Sequence, residues 1–328
     1  MRYFSVLLIL AAASVGSADT VVISSGLNTA GSDFVTTQTP DNVVTFGYNW
    51  GSDPTPAGTG YTTVPASPGG DTVGLKIESN NTDDPTDYQE GVTVWCTTEP
   101  ATNNYDVSVD AFIAYPITAP ASGTTEHIGI VIQGSGTGLR GLRNNALSAI
   151  NPAFGWSDVS TTASTYPYQD GIAFGFNGEN GEAATDIFCY DPAARTGGPT
   201  ITLNGQTGTF LGGDPSPTVA HDFNTFSYVL SQPSGRTLGN VAGWLWNTIK
   251  ASVRETATPG QLLVTFYING NPIVQLTSTK TTKKVGLIAG DPFASFSTPA
   301  NESYMLFDNF RIIDVVPSTA AHDWQLFQ

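Results

Sequence analysis

Residues 247–276 read NTIKASVRETATPGQLLVTFYINGNPIVQL, two turns set between three runs that alternate apolar with polar side chains. In the first run Ile249, Ala251 and Val253 fall on one side and Lys250, Ser252 and Arg254 on the other, the period of a strand with one buried and one wet face. Thr258-Pro259-Gly260 suits a turn with proline second and glycine third. Asn269-Gly270 suits a two-residue hairpin whose central residues both take positive φ. These turns set the register of strands expected at 247–255, 261–268 and 272–276. Two further runs, from Lys284 to Ala289 and from Met305 to Ile312, complete a meander between Trp244 and Asp314.

Toward the N-terminus the same period recurs. Strands are expected at 20–23, 42–50, 73–78, 92–97, 105–115, 127–133, 171–176, 185–190 and 227–230, separated by clusters of Pro, Gly, Asn and Asp. Short strands spaced in this way indicate an antiparallel sandwich and not βαβ units. Residues 51–70 are dense in Gly, Pro, Ser and Thr, but too few strands precede them to build a separate core. They are expected to be a long surface loop inside one domain spanning 19–328. Only residues 139–150, LRGLRNNALSAI, have helical spacing, for two turns. Residues 151–240 are the least regular part, with long loops of the kind that carry binding sites.

Charge narrows the classes of partner. Twelve Lys and Arg stand against 28 Asp and Glu, a formal charge of −16. A surface so poor in cations neutralises few phosphates, which argues against nucleic acid and anionic lipid. Residues 1–18 read as a signal peptide: Arg2 gives the positive start, residues 4–13 the apolar run, and Gly16-Ser17-Ala18 the small residues of a cleavage site. That run is too short to span a bilayer and no longer one follows. A secreted protein is therefore expected, with no lipid-anchor cysteine and no hydrophobic tail.

Export would place Cys96 and Cys189 in an oxidising compartment, where two thiols in one chain commonly pair. A bridge would close about ninety residues and contribute on the order of 4 kcal/mol. The alternative is two separate buried cysteines.

Several stretches carry a likeness. They are Val44-Thr45-Phe46-Gly47-Tyr48, Val73-Gly74-Leu75-Lys76, Tyr105 to Ala111, Thr125-Glu126-His127, Phe266 to Gly270, Gly290 to Ser295 and the closing Phe307-Asp308-Asn309-Phe310-Arg311-Ile312. Together with the terminal meander they resemble the concanavalin A-like jelly roll of lectins and glucanases. More narrowly, they look like a group of secreted proteins of environmental bacteria that have no assigned activity. The resemblance implies an all-β, antiparallel jelly-roll sandwich and leaves function open, because jelly rolls host binders, hydrolases and lyases.

Glucanases of this architecture carry Glu-x-Asp-x-x-Glu on one strand, and this chain has no such run. Its nearest equivalent, Asp106-x-Ser108-x-Asp110, sets the two acids roughly 13 Å apart at ~3.3 Å per residue. That exceeds the roughly 5–9.5 Å between the carboxyl groups of glycosidases, so a solvated sheet face is expected. Glu126 and His127 are adjacent and point to opposite faces of a strand, which speaks for a structural or solvent-facing role. Acids gathered from different strands, for instance Glu126, Asp170 and Glu179, would serve a polysaccharide hydrolase or lyase. His127, His221 and His322 show no paired spacing for a transition metal. Structural calcium would draw on Asp83, Asp84 and Asp87 in one loop and on Asp308; the alternative is that these acids are solvated.

Sugar binding needs flat rings beside polar groups. Trp156, Tyr166, Tyr168 and Asp170 fit that need in a loop, and Trp244 with Trp246 would form a two-ring platform if both lie in a strand. In a β-sandwich, such rings are otherwise core. The leading expectation is a secreted, non-catalytic protein that binds a poly- or oligosaccharide or associates with extracellular matrix. The alternatives are the hydrolase or lyase and a structural surface or filament subunit. Asn80-Asn81-Thr82 and Asn301-Glu302-Ser303 are glycosylation sequons.

Overall fold

The computed structural model describes residues 18–36, 42–79, 81, 91–117, 126–137, 171–178, 187–190, 202–203, 206–207, 209–210, 220–221, 233–238, 241–290 and 300–316. Their strands are β1 (Thr20–Ser25), β2 (Phe34–Val35), β3 (Asn42–Asn49), β4 (Val73–Ser79), β5 (Gly91–Cys96), β6 (Tyr105–Ala114), β7 (His127–Gly134), β8 (Ile172–Asn177) and β9 (Ile187–Tyr190). Further along lie β10 (Thr202–Leu203), β11 (Gln206–Thr207), β12 (Thr209–Phe210), β13 (Ala220–His221), β14 (Trp246–Glu255), β15 (Leu262–Ile268), β16 (Asn271–Ser278), β17 (Lys284–Gly290) and β18 (Tyr304–Asp314). The stretches 139–150 and 227–230, expected as a helix and a strand, lie outside the described residues.

Both turns of the terminal meander form as the sequence indicates. Asn269 and Gly270 have φ of 50° and 80°, and Gly260, with φ of 76°, follows Pro259 in a turn closed by the Gln261 amide donating to the Thr258 carbonyl. β14, β15 and β16 then pair in sequence order, antiparallel throughout.

The strands make two antiparallel sheets. A nine-stranded sheet runs β12-β16-β15-β14-β6-β18-β4-β3, with β1 also paired to β18, and a seven-stranded sheet runs β13-β9-β8-β7-β17-β5-β2. The chain crosses between them repeatedly: β4, β6, β16 and β18 belong to the first sheet, and β5, β7 and β17 to the second. That alternation is the winding of an antiparallel jelly-roll sandwich, the fold the sequence indicates.

Period-two alternation fills the space between the sheets. Val107, Val109 and Ala111 of β6, Ile249 and Val253 of β14, and Val264 and Phe266 of β15 meet Ile128, Ile130 and Ile132 of β7 and Phe174 and Phe176 of β8. Phe174 lies flat on Phe266 with ring centroids 4.6 Å apart, joining the two sheets. Each large apolar side chain buried this way contributes about 1.5–3 kcal/mol.

A second core sits on the outer face of the nine-stranded sheet. Residues 51–72 cross that face as a strap and, with neighbouring segments, enclose Trp50, Val64, Phe112, Tyr115, Trp244, Tyr304 and Leu306. The strap folds on itself through a bridge between Pro54 and Thr63 and through the Val64 amide donating to the Asp53 carbonyl. The carbonyl of Pro65 accepts the indole N–H of both Trp50 and Trp246, at 3.1 and 2.9 Å. The loop expected from the Gly- and Pro-rich composition is thus a packed cover.

The expected disulfide does not form, and no bond joins Cys96 to Cys189. Cys96 ends β5 and Cys189 lies in β9, and four strand-to-strand steps across one sheet separate these strands. At ~4.8 Å per step this is about 19 Å, far beyond the ~7 Å that a disulfide can span. Both side chains are packed in the core between the sheets. Dithiothreitol is therefore expected to leave the melting temperature unchanged. Burial pushes the Cys96 thiol up to about 11, so alkylation by iodoacetamide near neutral pH should be slow in the folded protein and complete after denaturation without reductant. A fall in melting temperature on reduction would restore the bridge.

Candidate functional site

A cleft opens on the outer face of the nine-stranded sheet, beside the strap and next to β3, β4 and the start of β18. Its volume is about 350 Å³, and it is lined by Tyr48, residues 53–56, Lys76, Glu78, Asn301, Glu302 and Tyr304. Each group arrives there for a local reason. Lys76 and Glu78 are alternate residues of β4, opposite in facing to the core residues Leu75 and Ile77. Tyr304 opens β18 on the same face as Leu306, and Glu302 precedes it in a short 3-10 turn at Ala300–Glu302.

Tyr48 reaches the cleft through a bulge. Phe46 pairs with Leu75 and Tyr48 pairs with Gly74, so Gly47 is the extra residue. Its φ is 71°, and a Cβ there would stand 2.6 Å from the Asn28 carbonyl oxygen, so glycine is required. Without the bulge Phe46 and Tyr48 would share a face. With it, Phe46 packs on the inner core and Tyr48 on the outer one.

The groups are tied together electrostatically. The Lys76 ammonium lies 4.6 Å from the Tyr48 ring centroid and 4.9 Å from that of Tyr304. It also pairs with Glu78 at 2.9 Å. The Tyr48 hydroxyl donates to Asp53 at 2.6 Å, and burial together with this bond raises the phenol above its usual range. Glu302 accepts the Ile117 amide at 2.9 Å. Tyr304 is only 4% exposed, and its buried hydroxyl has no hydrogen-bond partner among the described residues. Burial, then the negative field of Asp53, keeps that phenol protonated. A buried hydroxyl left unmatched costs about 1–3 kcal/mol.

Four residues along β18 from Tyr304, the same face carries a buried carboxylate network under the strap. Asp110 and Asp308 are cross-strand partners. Asp308 accepts from the Ser67 hydroxyl at 2.5 Å and from the Asn309 amide at 2.7 Å. Asp110 accepts from the Asn309 side chain at 2.8 Å and from the Thr248 hydroxyl at 2.6 Å. Farther along β6, Asp106 takes Lys250 at 2.7 Å and Arg254 at 2.6 Å. The solvated face expected for Asp106, Ser108 and Asp110 is therefore covered at its Asp110 end, which is 6% exposed.

The sequence candidates fare unequally. Trp244 and Trp246 form no open platform. Trp244 has φ of 59° and lies in a turn before β14, where it is 1% exposed and donates its indole N–H to the Tyr115 carbonyl at 3.0 Å. Trp246 packs against Trp50 and Phe112, with centroids 5.3 Å away in both cases. Glu126 is wholly buried and accepts the Ser303 hydroxyl at 2.6 Å, which withdraws it from any substrate in solvent. Asp308 has both carboxylate oxygens engaged by protein donors. Trp156, Tyr166, Tyr168, Asp170, Glu179, Asp83, Asp84, Asp87 and the Asn80 sequon lie outside the described residues. Among the described residues, no three His, Cys, Asp or Glu side chains gather as a metal site. No helix among them is long and apolar enough to cross a membrane.

The cleft itself was missed in the sequence. The legible signal was Lys76-x-Glu78 on the outward face of an otherwise apolar strand, and a glycine just before Tyr48.

No family model matches the sequence, and no curated protein does. Solved structures with a similar strand arrangement include a carbohydrate-binding module from Bacillus subtilis, 7% identical over 73% of this chain and 86% of that one, with a TM-score of 0.32. Winged bean acidic lectin complexed with methyl-α-D-galactose is 9% identical over 87% of this chain and 97% of that one, with a TM-score of 0.35. An endo-1,3-β-glucanase from Streptomyces sioyaensis is 12% identical over 92% and 98% of the two chains, with a TM-score of 0.39. A likeness at this level assigns no residue a role.

Asp308 and Asp106 give the covered face opposite responses to acid. Burial raises the Asp308 carboxyl, with the Ser67 and Asn309 donors opposing it. Its contribution is thus full below the unfolded carboxylate pKa of about 3.9 and is lost as pH rises through the higher folded value. For Asp106, burial is outweighed by Lys250, Ser252 and Arg254, and the folded pKa falls. Its contribution is present above about pH 3.9 and is lost as pH falls through the lower value. Urea unfolding across pH should therefore show a flatter profile above about pH 4 for Asp308→Asn, and a flatter profile below it for Asp106→Asn. A wild-type slope in Asp308→Asn would mean that this carboxyl titrates like a surface acid.

Proposed function

We propose that the protein is an extracellular carbohydrate-binding protein that holds an oligosaccharide, or a segment of a polysaccharide, in the cleft of Tyr48, Lys76, Glu78, Glu302 and Tyr304. The observation that carries this reading is a cleft lined by two tyrosines beside three carboxylates, one of the tyrosines, Tyr304, having a hydroxyl unmatched among the described residues. Sugars offer hydroxyls that both donate and accept, together with weakly apolar ring faces. The cleft supplies the matching set: carboxylate acceptors in Asp53, Glu78 and Glu302, a phenol donor, and aromatic edges. Its volume falls at the small end of ligand sites, which run from about 300 to 1,000 Å³. The leader-like residues 1–18 support an extracellular setting.

A hydrolase is the second reading, favoured by three carboxylates sharing one cleft. Release of reducing ends from the bound glycan would select it, with Glu78 and Glu302 as the acids to replace.

Purified protein applied to a glycan array and to insoluble polysaccharides should be retained by at least one of them. Tyr304→Phe is expected to weaken that binding by about five- to tenfold, the value of one hydrogen bond, with little change in melting temperature. Retention on no glycan would overturn the assignment, and undiminished binding by Tyr304→Phe would move it away from this cleft.

A further inference from the structure

A second cleft, of about 570 Å³, lies where the chain passes from β16 in one sheet to β17 in the other, and it shares no residue with the first. Three segments line it: Asn103 in the loop before β6, the turn between β14 and β15, and Lys280, Thr281 and Lys283 between β16 and β17. Its size suits a small ligand, for which sites run from about 300 to 1,000 Å³. The walls are held by specific bonds. The Thr256 amide donates to the Gln261 carbonyl at 3.1 Å, and Asp314 accepts the Ala101 and Thr102 amides at 3.0 and 3.2 Å.

Positive charge gathers at this cleft. The chain has only 12 Lys and Arg and a formal charge of −16, yet Lys280, Lys283 and Lys284 fall within five residues. Lys284 is taken by Glu99 at 3.3 Å and by the Thr97 carbonyl. Lys280 and Lys283 are half-buried and belong to the cleft wall. The Lys283 ammonium donates to the Ala101 carbonyl at 3.2 Å, which leaves two of its three protons for another acceptor. Glu255, on the same cleft, accepts the Asn103 side chain at 2.9 Å. A cation and an anion are thus fastened two residues apart along one loop. They do not close on each other: no ion pair among the described residues includes either Lys283 or Glu255.

A ligand filling this cleft has to bring an anionic acceptor for the ammonium and donors for the carboxylate. An uncharged sugar brings the donors alone. An inorganic anion brings the acceptor alone and meets Glu255 with like charge. A sugar acid carries both on one ring, a carboxylate beside hydroxyls, and Thr258, Thr281 and Gln261 line the same space as further partners for those hydroxyls. We propose that this cleft is a binding site for uronate-bearing oligosaccharides, a reading that does not depend on what the first cleft holds. The acid surplus over the rest of the chain repels such a polymer and directs it to the segment where the cations are concentrated.

Calorimetric titration of the full chain with tetragalacturonate and with its methyl ester, which keeps the hydroxyls and removes the charge, tests the assignment. At low salt the acid should bind about tenfold tighter than the ester, and the gap should shrink in ~0.5 M salt. Lys283→Gln should close most of the gap, and Lys283→Arg should keep it. Arg311→Gln, the same charge change at an exposed residue of β18 outside both clefts, should leave it intact. Thermal melts establish that each variant folds, and Lys283→Met replaces Lys283→Gln if that variant does not.

Absence of tetragalacturonate binding, or equal binding of acid and ester, overturns the proposal. So does a gap untouched by Lys283→Gln, which would move the uronate away from this cleft. A gap narrowed equally by Arg311→Gln overturns it too, because selection would then come from the net charge of the chain.

Discussion

One carbonyl oxygen organises the outer half of this molecule. Pro65 accepts the indole protons of Trp50 and Trp246, and so uses both lone pairs of a backbone group that would otherwise be buried at a cost. The two tryptophans are far apart in the chain, one just after β3 and the other at the start of β14. Their rings meet each other and Phe112. Holding the strap at that point closes a second apolar layer over a sheet whose other face already carries the main core. The centre of the nine-stranded sheet is consequently buried on both sides, which explains why β6 ends in the unbroken buried run from Val109 to Ala114.

Beneath the next part of the strap the same sheet buries carboxylates. Asp110 and Asp308 face one another across β6 and β18, an arrangement that repels when both are charged. Their oxygens are met by Thr248, Ser67 and the backbone and side chain of Asn309, so the cost of removing them from water is answered by specific donors. An apolar patch could cover the sheet in several registers, whereas these bonds admit one placement of Ser67 on Asp308. The apolar contacts supply the larger share of the stabilisation, and the polar pair sets the position.

The sequence displays the scaffold because alternation and turn chemistry are local. Asn269-Gly270 and Pro259-Gly260 needed no distant partner to be read. What failed depended on order across a sheet or on one extra residue in a strand. Cys96 and Cys189 fit a bridge in composition, but neighbours in a jelly roll are not neighbours in the chain, and four strand steps keep them apart. Trp244 and Trp246 are two apart as strand neighbours would be, yet a left-handed residue ends the extended geometry at Trp244. Two bulges conceal the rest. Gly47 turns Tyr48 away from the face of Phe46, and the irregularity at Asn309, with φ of 55°, puts Asp308 and Phe310 on opposite faces although period two predicts one.

The candidate site follows from how far the strap extends. Residues 53–56 of the strap form one wall of the cleft and the Ala300–Glu302 turn adjoins another. Strands that elsewhere present side chains to the strap here present Lys76 and Glu78 to the cleft, beside the buried Tyr304, on backbones fixed by cross-strand pairing. A cleft of this kind is rigid on its floor and adjustable only at its rim. Its floor is set by core packing on the opposite side of the same strands, where Leu75 and Ile77 alternate with Lys76 and Glu78. Specificity would then change most readily through the side chains of Thr55 and Pro56 on the strap, whose backbone is pinned by the Pro54–Thr63 bridge. The floor residues would carry whatever chemistry is common to every ligand.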